Sequence, residues 1–187
     1  IRQRLPESVF DKVFVFVLRL LEQKGLLRGK AVAIDATTLE ANAAMRSIVR
    51  KDTGEGWKQY LRGLAQAEGI TNPTDEDLRR LDRGRKGKKV SNQQWQSPSD
   101  PDSRIAKMKD GRTHLAYKAE HAVDLASEAI VATTVTFADK SDPQSGPVTL
   151  SLAVANLVLA GSGTEITEAV MDKGYHDNGL VAGLTQR

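Results

Sequence analysis

The chain has 187 residues, 40% of them hydrophobic, which suffices for one core of roughly 100–150 residues with an appendage and argues against disorder throughout. It contains no cysteine, so disulfides, thiolate zinc sites and thiol nucleophiles are excluded. Its 27 basic and 24 acidic residues leave a net charge of only +3, so any polyanionic partner has to be argued from where the charges lie, not from their sum.

Pro6 and Glu7 suit a helix start, and Val9, Phe10, Val13, Phe14, Val17, Leu18 and Leu21 recur at helical spacing until Gly25, predicting a helix over 7–24. Its longest apolar run, Val13 to Leu18, is broken by Arg19, far short of the ~20 residues that span a bilayer, and no cleavage site follows. A soluble, cytoplasmic protein without a membrane partner is expected. Ala31-Val32-Ala33-Ile34 is a short buried strand leading into Asp35. Residues 41–112 change character, with many charges and glycines, helical patches at 57–68 and 74–83, and a Pro-containing loop or disordered stretch from Ser91 to Asp102. From His114, two alternating runs, Leu115 to Val123 and Val131 to Phe137, flank a turn at Asp124 to Glu128 and predict a hairpin. Pro147 to Ala160 is too long and apolar for a strand and reads as a buried helix ended by Gly161. Ile166 to Met171 is a further strand running into Asp172, and Asp177 or Asn178 is placed to cap a last helix.

Strand, insertion, hairpin, helix, strand predicts an α/β fold: a mixed sheet with flanking helices, in the order of a ribonuclease-H-like core, carrying a long, mainly helical or disordered insertion after the first strand. The expected division is an N-terminal helical segment, 1–28, and a catalytic domain, 29–187, with the insertion at 41–112. The chain opens at Ile1 and stops at Arg187 within a helical pattern, so a fragment is expected.

Asp35 and Asp172 each follow an apolar strand. Parallel neighbours lie about 4.8 Å apart, so adjacent strands would bring the two carboxylates together however far apart they stand in sequence. Clustered carboxylate oxygens are what two-metal phosphoryl transfer requires, because hard divalent ions favour them. An aspartate after a strand is equally an ordinary turn residue or helix cap, and spacing does not separate these readings.

The surrounding residues add to the case. Ala33-Ile34-Asp35-Ala36-Thr37-Thr38-Leu39-Glu40-Ala41-Asn42 resembles the first-aspartate motif of bacterial insertion-sequence transposases of the DDE superfamily, four and five type, and Asp172-Lys173-Gly174-Tyr175 resembles the second. Asp100 to Arg104, and Lys107 to Arg112 with the following His114 to Asp124, look like that family's lead into its second strand. The resemblance runs from about Gly29 onward, with four motifs in order. It implies a DNA transposase with a ribonuclease-H-like domain, Asp35 and Asp172 as catalytic metal ligands, and two Mg²⁺ or Mn²⁺ ions. Its implied reaction is water-driven cutting at the transposon end, then attack of the freed 3′-hydroxyl on target DNA. A homodimer is implied for the full-length protein. The family's third ligand is the glutamate of a Tyr-x2-Arg-x3-Glu-x6-Lys motif, which is absent here, and no glutamate follows Asp172. The fragment alone is therefore expected to be inactive.

Arg79, Arg80, Arg83, Arg85, Lys86, Lys88 and Lys89 crowd one stretch opposed by Asp82, and with Lys107, Lys109 and Arg112 they are candidates for phosphate contact. A solvated charge run is the plain alternative. Trp57, Tyr60 and Trp95 lie near that stretch and are candidates for stacking on DNA, although burial is the more ordinary role for Trp57 and Tyr60. His114, His121 and His176 do not have zinc-motif spacing. His121 reads as a half-buried strand residue. Two other functions compete: a ribonuclease-H-like nuclease or resolvase, which would lack the long insertion, and a truncated, non-catalytic DNA-binding remnant, favoured by the missing glutamate.

Overall fold

The computed structural model describes residues 5–86, 91–108, 110–179 and 183. In chain order the elements are α1 (Glu7–Gln23), β1 (Ala31–Glu40), β2 (Val49–Arg50), α2 (Trp57–Ala67), α3 (Asp75–Gly84), β3 (Trp95–Gln96), β4 (Arg104–Lys107), β5 (Thr113–Asp124), β6 (Ile130–Phe137), α4 (Asp142–Ala160) and β7 (Glu168–Met171). The fold is mixed α/β with a mixed sheet and four helices among the described residues. No helix among them is long and apolar enough to cross a membrane.

The chain forms two compact units, 1–37 with 118–136 and 140–187, and 38–117 with 137–139. In the first, strand order is β6-β5-β1-β7, so β1 lies between β5 and β7. β1 and β7 are parallel, with Ala31 opposite Glu168 and Ile34 opposite Met171. Leu18, Val32, Ile34, Ala122, Val131, Ala132, Ala153, Leu157 and Tyr175 form the core. Phe14, Leu18 and Leu21 follow helical spacing and face this core, which explains why a segment rich in β-branched and aromatic residues is helical. Phe10, Val13, Phe16, Val17 and Leu20 are left exposed.

Helix α4 begins five residues before the predicted Pro147 start. Ser141 and Gln144 form a capping box and Pro143 sits in the first turn, so the polar segment before Pro147 supplies the start signal. Pro147 lies inside the helix, where it forfeits the one backbone bond its missing N–H would make. Gly161, with φ +77°, closes it. β7 is two residues shorter at its start than the predicted strand, and Thr167 and Glu168 N–H both bond Lys30 O where the pairing with β1 begins. At the C-terminal end, Asn178 and Gly179 are helical, as the cap residues predict.

The second unit is more ordered than its composition suggests. α2 and α3 match the predicted patches, and Thr74 and Asp77 cap α3 reciprocally. The stretch from Ser91 to Asp102, expected as loop or disorder, contains β3 paired antiparallel to β2, and Trp95 and Ser97 are buried there. Two polar anchors explain this. Asn92 exchanges hydrogen bonds with the backbone of Ile105, and Tyr117 donates to Asp100, which pushes the tyrosine hydroxyl up to about 12. β4 pairs antiparallel with the first residues of β5.

Asp124 shapes the β5–β6 turn by accepting from Ala126 N–H and Ser127 Oγ, and it leaves no room beside Gly29, where a Cβ would stand 1.6 Å from Asp124 Oδ1. Gly29→Ala is expected to lower stability by about 1–3 kcal/mol through overpacking. Gly63→Ala, inside α2 with open space around it, is expected to raise it by roughly 0.5–1 kcal/mol. Urea denaturation of the two variants measures both, and equal shifts would contradict the packing described.

Candidate functional site

The register places the two aspartates. Ile34 pairs with Met171, so Asp35 and Asp172 are the next residues on neighbouring parallel strands, and β7 stops there. β1 does not stop: it continues to Glu40, so Asp35 lies in mid-strand and not at the strand end that the sequence suggests. Its continuation is held by Ala41 N–H bonding to Leu115 O. By strand alternation Asp35 and Asp172 share the face of Ala33 and Val170, opposite the face of Val32, Ile34, Ala169 and Met171 that enters the core. Both aspartates are exposed.

Each carboxylate is oriented by its own backbone. Asp35 Oδ1 accepts from Ala36 N–H at 2.8 Å, and Asp172 Oδ1 accepts from Gly174 N–H at 2.8 Å as the cap of a 3-10 turn, Lys173–Tyr175. Sequence reasoning missed a third carboxylate nearby, Asp142 in the first turn of α4. A Cβ on Gly174 would lie 2.6 Å from Asp142 Oδ2 and 3.0 Å from Asp172 Oδ1, so the two oxygens converge on the same bare α-carbon. A side chain there would have to push one of these carboxylates aside.

Behind this edge lies a buried polar network that the sequence reading also missed. Glu120 is 1% exposed, yet its Oε1 accepts from Ser145 Oγ at 2.5 Å, Lys118 Nζ at 3.0 Å and Tyr175 Oη at 3.0 Å, while Oε2 accepts from Thr149 Oγ1 at 2.7 Å. Lys118 also donates to Asp142 Oδ1 and to Ser145 Oγ. Burial pushes the Glu120 carboxyl up, but the bonds from Ser145, Thr149 and Lys118 outweigh it and hold the group below its ordinary value. Burial, then the charge and hydrogen bond of Glu120, push the Tyr175 hydroxyl well up, so it stays a donor. A legible signal existed: Lys118 and Glu120 stand two apart in a strand, hence on one face, and Ser145 and Thr149 stand one turn apart on α4.

The donors at the Asp35 and Asp172 edge are all carboxylate oxygens, which fit Mg²⁺ or Mn²⁺ chemically. Among the described residues no three carboxylates or imidazoles are gathered closely enough to hold one ion together.

The basic candidates divide. Arg79, Arg80, Arg83 and Lys86 are exposed along and just after α3, with Arg80 4.0 Å from Glu76. Arg85 is half-buried, 3.4 Å from Asp82, with its guanidinium 5.8 Å from the Trp57 ring and 5.4 Å from the Tyr60 ring. It is spent on packing and is not a free phosphate ligand. Trp57, Tyr60 and Trp95 pack against one another, and Trp95 at 2% exposure is unavailable for stacking on a base. Lys107 and Arg112 are exposed on either side of the β4–β5 turn. Lys88, Lys89 and Lys109 lie outside the described residues. His114 bonds Glu40 at 2.7 Å and faces Asp110, His121 is half-buried, and His176 is exposed.

Comparison with family models, curated proteins and solved structures finds no match to this chain.

Because the Glu120 carboxyl is held below its ordinary value in the fold, its contribution is complete above that ordinary value and is lost as pH falls through the lowered one. Thermal midpoints of the wild type should fall on acidification below about pH 4–5 more steeply than those of Glu120→Gln; parallel curves would refute this. Lys118→Met, which strands Glu120 without its cation, is expected to cost about 3–5 kcal/mol.

Proposed function

We propose that this chain carries part of the catalytic domain of a metal-dependent DNA transposase of the DDE type, with a ribonuclease-H-like core. The observation that carries the reading is that Asp35 and Asp172, both exposed, directly follow Ile34 and Met171, which pair on adjacent parallel strands. The Asp35 and Asp172 motifs, which suggest the same chemistry, are the sequences that lead into and out of that edge.

In this reading Asp35 and Asp172 hold Mg²⁺ or Mn²⁺, which supplies charge neutralisation at the attacking and leaving oxygens of phosphoryl transfer. The chain's own contribution is placement. Parallel pairing fixes the separation of the two carboxylates, and the backbone bonds from Ala36 and Gly174 fix their rotation. DNA is held through its phosphates by Arg79, Arg80, Arg83, Lys86, Lys107 and Arg112, which leave their charged ends in solvent. Two carboxylates of the three used by such enzymes are assigned here, so cation binding is expected to be weak.

Mn²⁺ binding followed by electron paramagnetic resonance should be weak in the wild type and fall below detection in Asp35→Asn or Asp172→Asn, with DNA affinity unchanged. Affinity for duplex DNA should drop steeply with salt, and the slope of log affinity against log salt should shrink by roughly one for each of Arg79, Arg80 and Arg83 replaced by alanine. Arg85→Ala should instead lower stability and leave the slope unaltered. Mn²⁺ binding indifferent to both aspartates would overturn the proposal.

A further inference from the structure

The Glu120 network ends on the residue that closes the turn beside Asp172. Tyr175 is 3% exposed, and its hydroxyl reaches 3.0 Å into the core to Glu120 Oε1. Its ring lies over Gly146 of α4, where a Cβ would come within 2.8 Å of Tyr175 Cδ1. Tyr175 N–H bonds back to Asp172 O at 3.2 Å, and the intervening Gly174 N–H holds the Asp172 carboxylate. The turn is three residues long, too short to hold itself by repeated backbone bonds. Its position is therefore set from the Tyr175 end.

The same hub reaches the neighbouring carboxylate by a second arm. Lys118 bridges Glu120 and Asp142, and Asp142 Oδ2 and Asp172 Oδ1 lie 2.6 and 3.0 Å from where a Gly174 Cβ would stand. Every hydrogen-bonding direction of the Lys118 ammonium is used, by Glu120, Asp142 and Ser145, so it is no free cation for a substrate.

We infer that Glu120 and Tyr175 are positioning residues for the Asp172 carboxylate, setting its rotation from inside the core through the Lys173–Tyr175 turn. This rests on reading Asp172 as a cation ligand, but the rotation itself is measurable without any metal. In the 187-residue chain, Tyr175→Phe keeps the ring and removes the hydroxyl. The Gly174 amide should then exchange roughly tenfold faster by NMR, while the Thr167 amide, bonded to Lys30 O, keeps its protection. Mn²⁺ affinity should fall by a similar factor. Glu120→Gln, which keeps the shape and removes the charge, should give the same pattern at smaller amplitude and serves if Tyr175→Phe does not fold.

Asn156→Ala is the control for a purely structural role, since it deletes another buried hydrogen bond of α4, to Val131 O at 2.9 Å, far from the turn. If Gly174 exchanges no faster in Tyr175→Phe than in Asn156→Ala, the inference is overturned. It is overturned equally if Asp172→Asn abolishes Mn²⁺ binding while Tyr175→Phe leaves it intact. Should Asp172→Asn leave Mn²⁺ binding unchanged, the cation reading fails and the Gly174 amide alone decides the positioning claim.

Discussion

A carboxylate buried at 1% exposure is the constraint on which the first unit is organised. An ionised group so placed is tolerated only when its lone pairs are filled, and Glu120 draws on β5, α4 and the turn after β7 to fill them. Those three elements are distant in sequence. Satisfying one side chain therefore fixes how the helix lies on the sheet and where the last strand delivers its aspartate, with a directionality that apolar packing does not supply.

Small residues make that arrangement possible. Gly146 admits the Tyr175 ring, Gly174 admits the Asp142 carboxylate, and Ser145 and Thr149 present hydroxyls to Glu120. α4 is consequently apolar along most of its length but polar at the positions that meet Glu120. Asp172, exposed after β7, is tied to this buried network through the Lys173–Tyr175 turn.

The second unit solves a different problem. Its core rests on three aromatic rings, Trp57, Tyr60 and Trp95, with Arg50 and Arg85 laid against them. Guanidinium groups stack on ring faces while their edges still bond carboxylates, as Arg50 does with Asp52 and Arg85 with Asp82. Charge that looks in sequence like a uniform basic run is thereby divided between structural and solvent-facing residues.

What the sequence determined by itself was local periodicity and punctuation. Apolar spacing marked α1, the α2 and α3 patches, the β5–β6 hairpin and the short strands before Asp35 and Asp172, because these patterns reflect which side of an element is shielded from water. It could not show that β1 runs on to Glu40, since that depends on β5 continuing beside it. Nor could it show that Ser91 to Asp102 is ordered by Asn92 and Asp100, or that α4 starts at Asp142, where the apolar pattern has not begun. The Glu120 hub was the least legible of all. Lysine and glutamate in a strand read as solvent-facing, and only the tertiary structure, by bringing Ser145, Thr149 and Tyr175 to them, makes their burial possible.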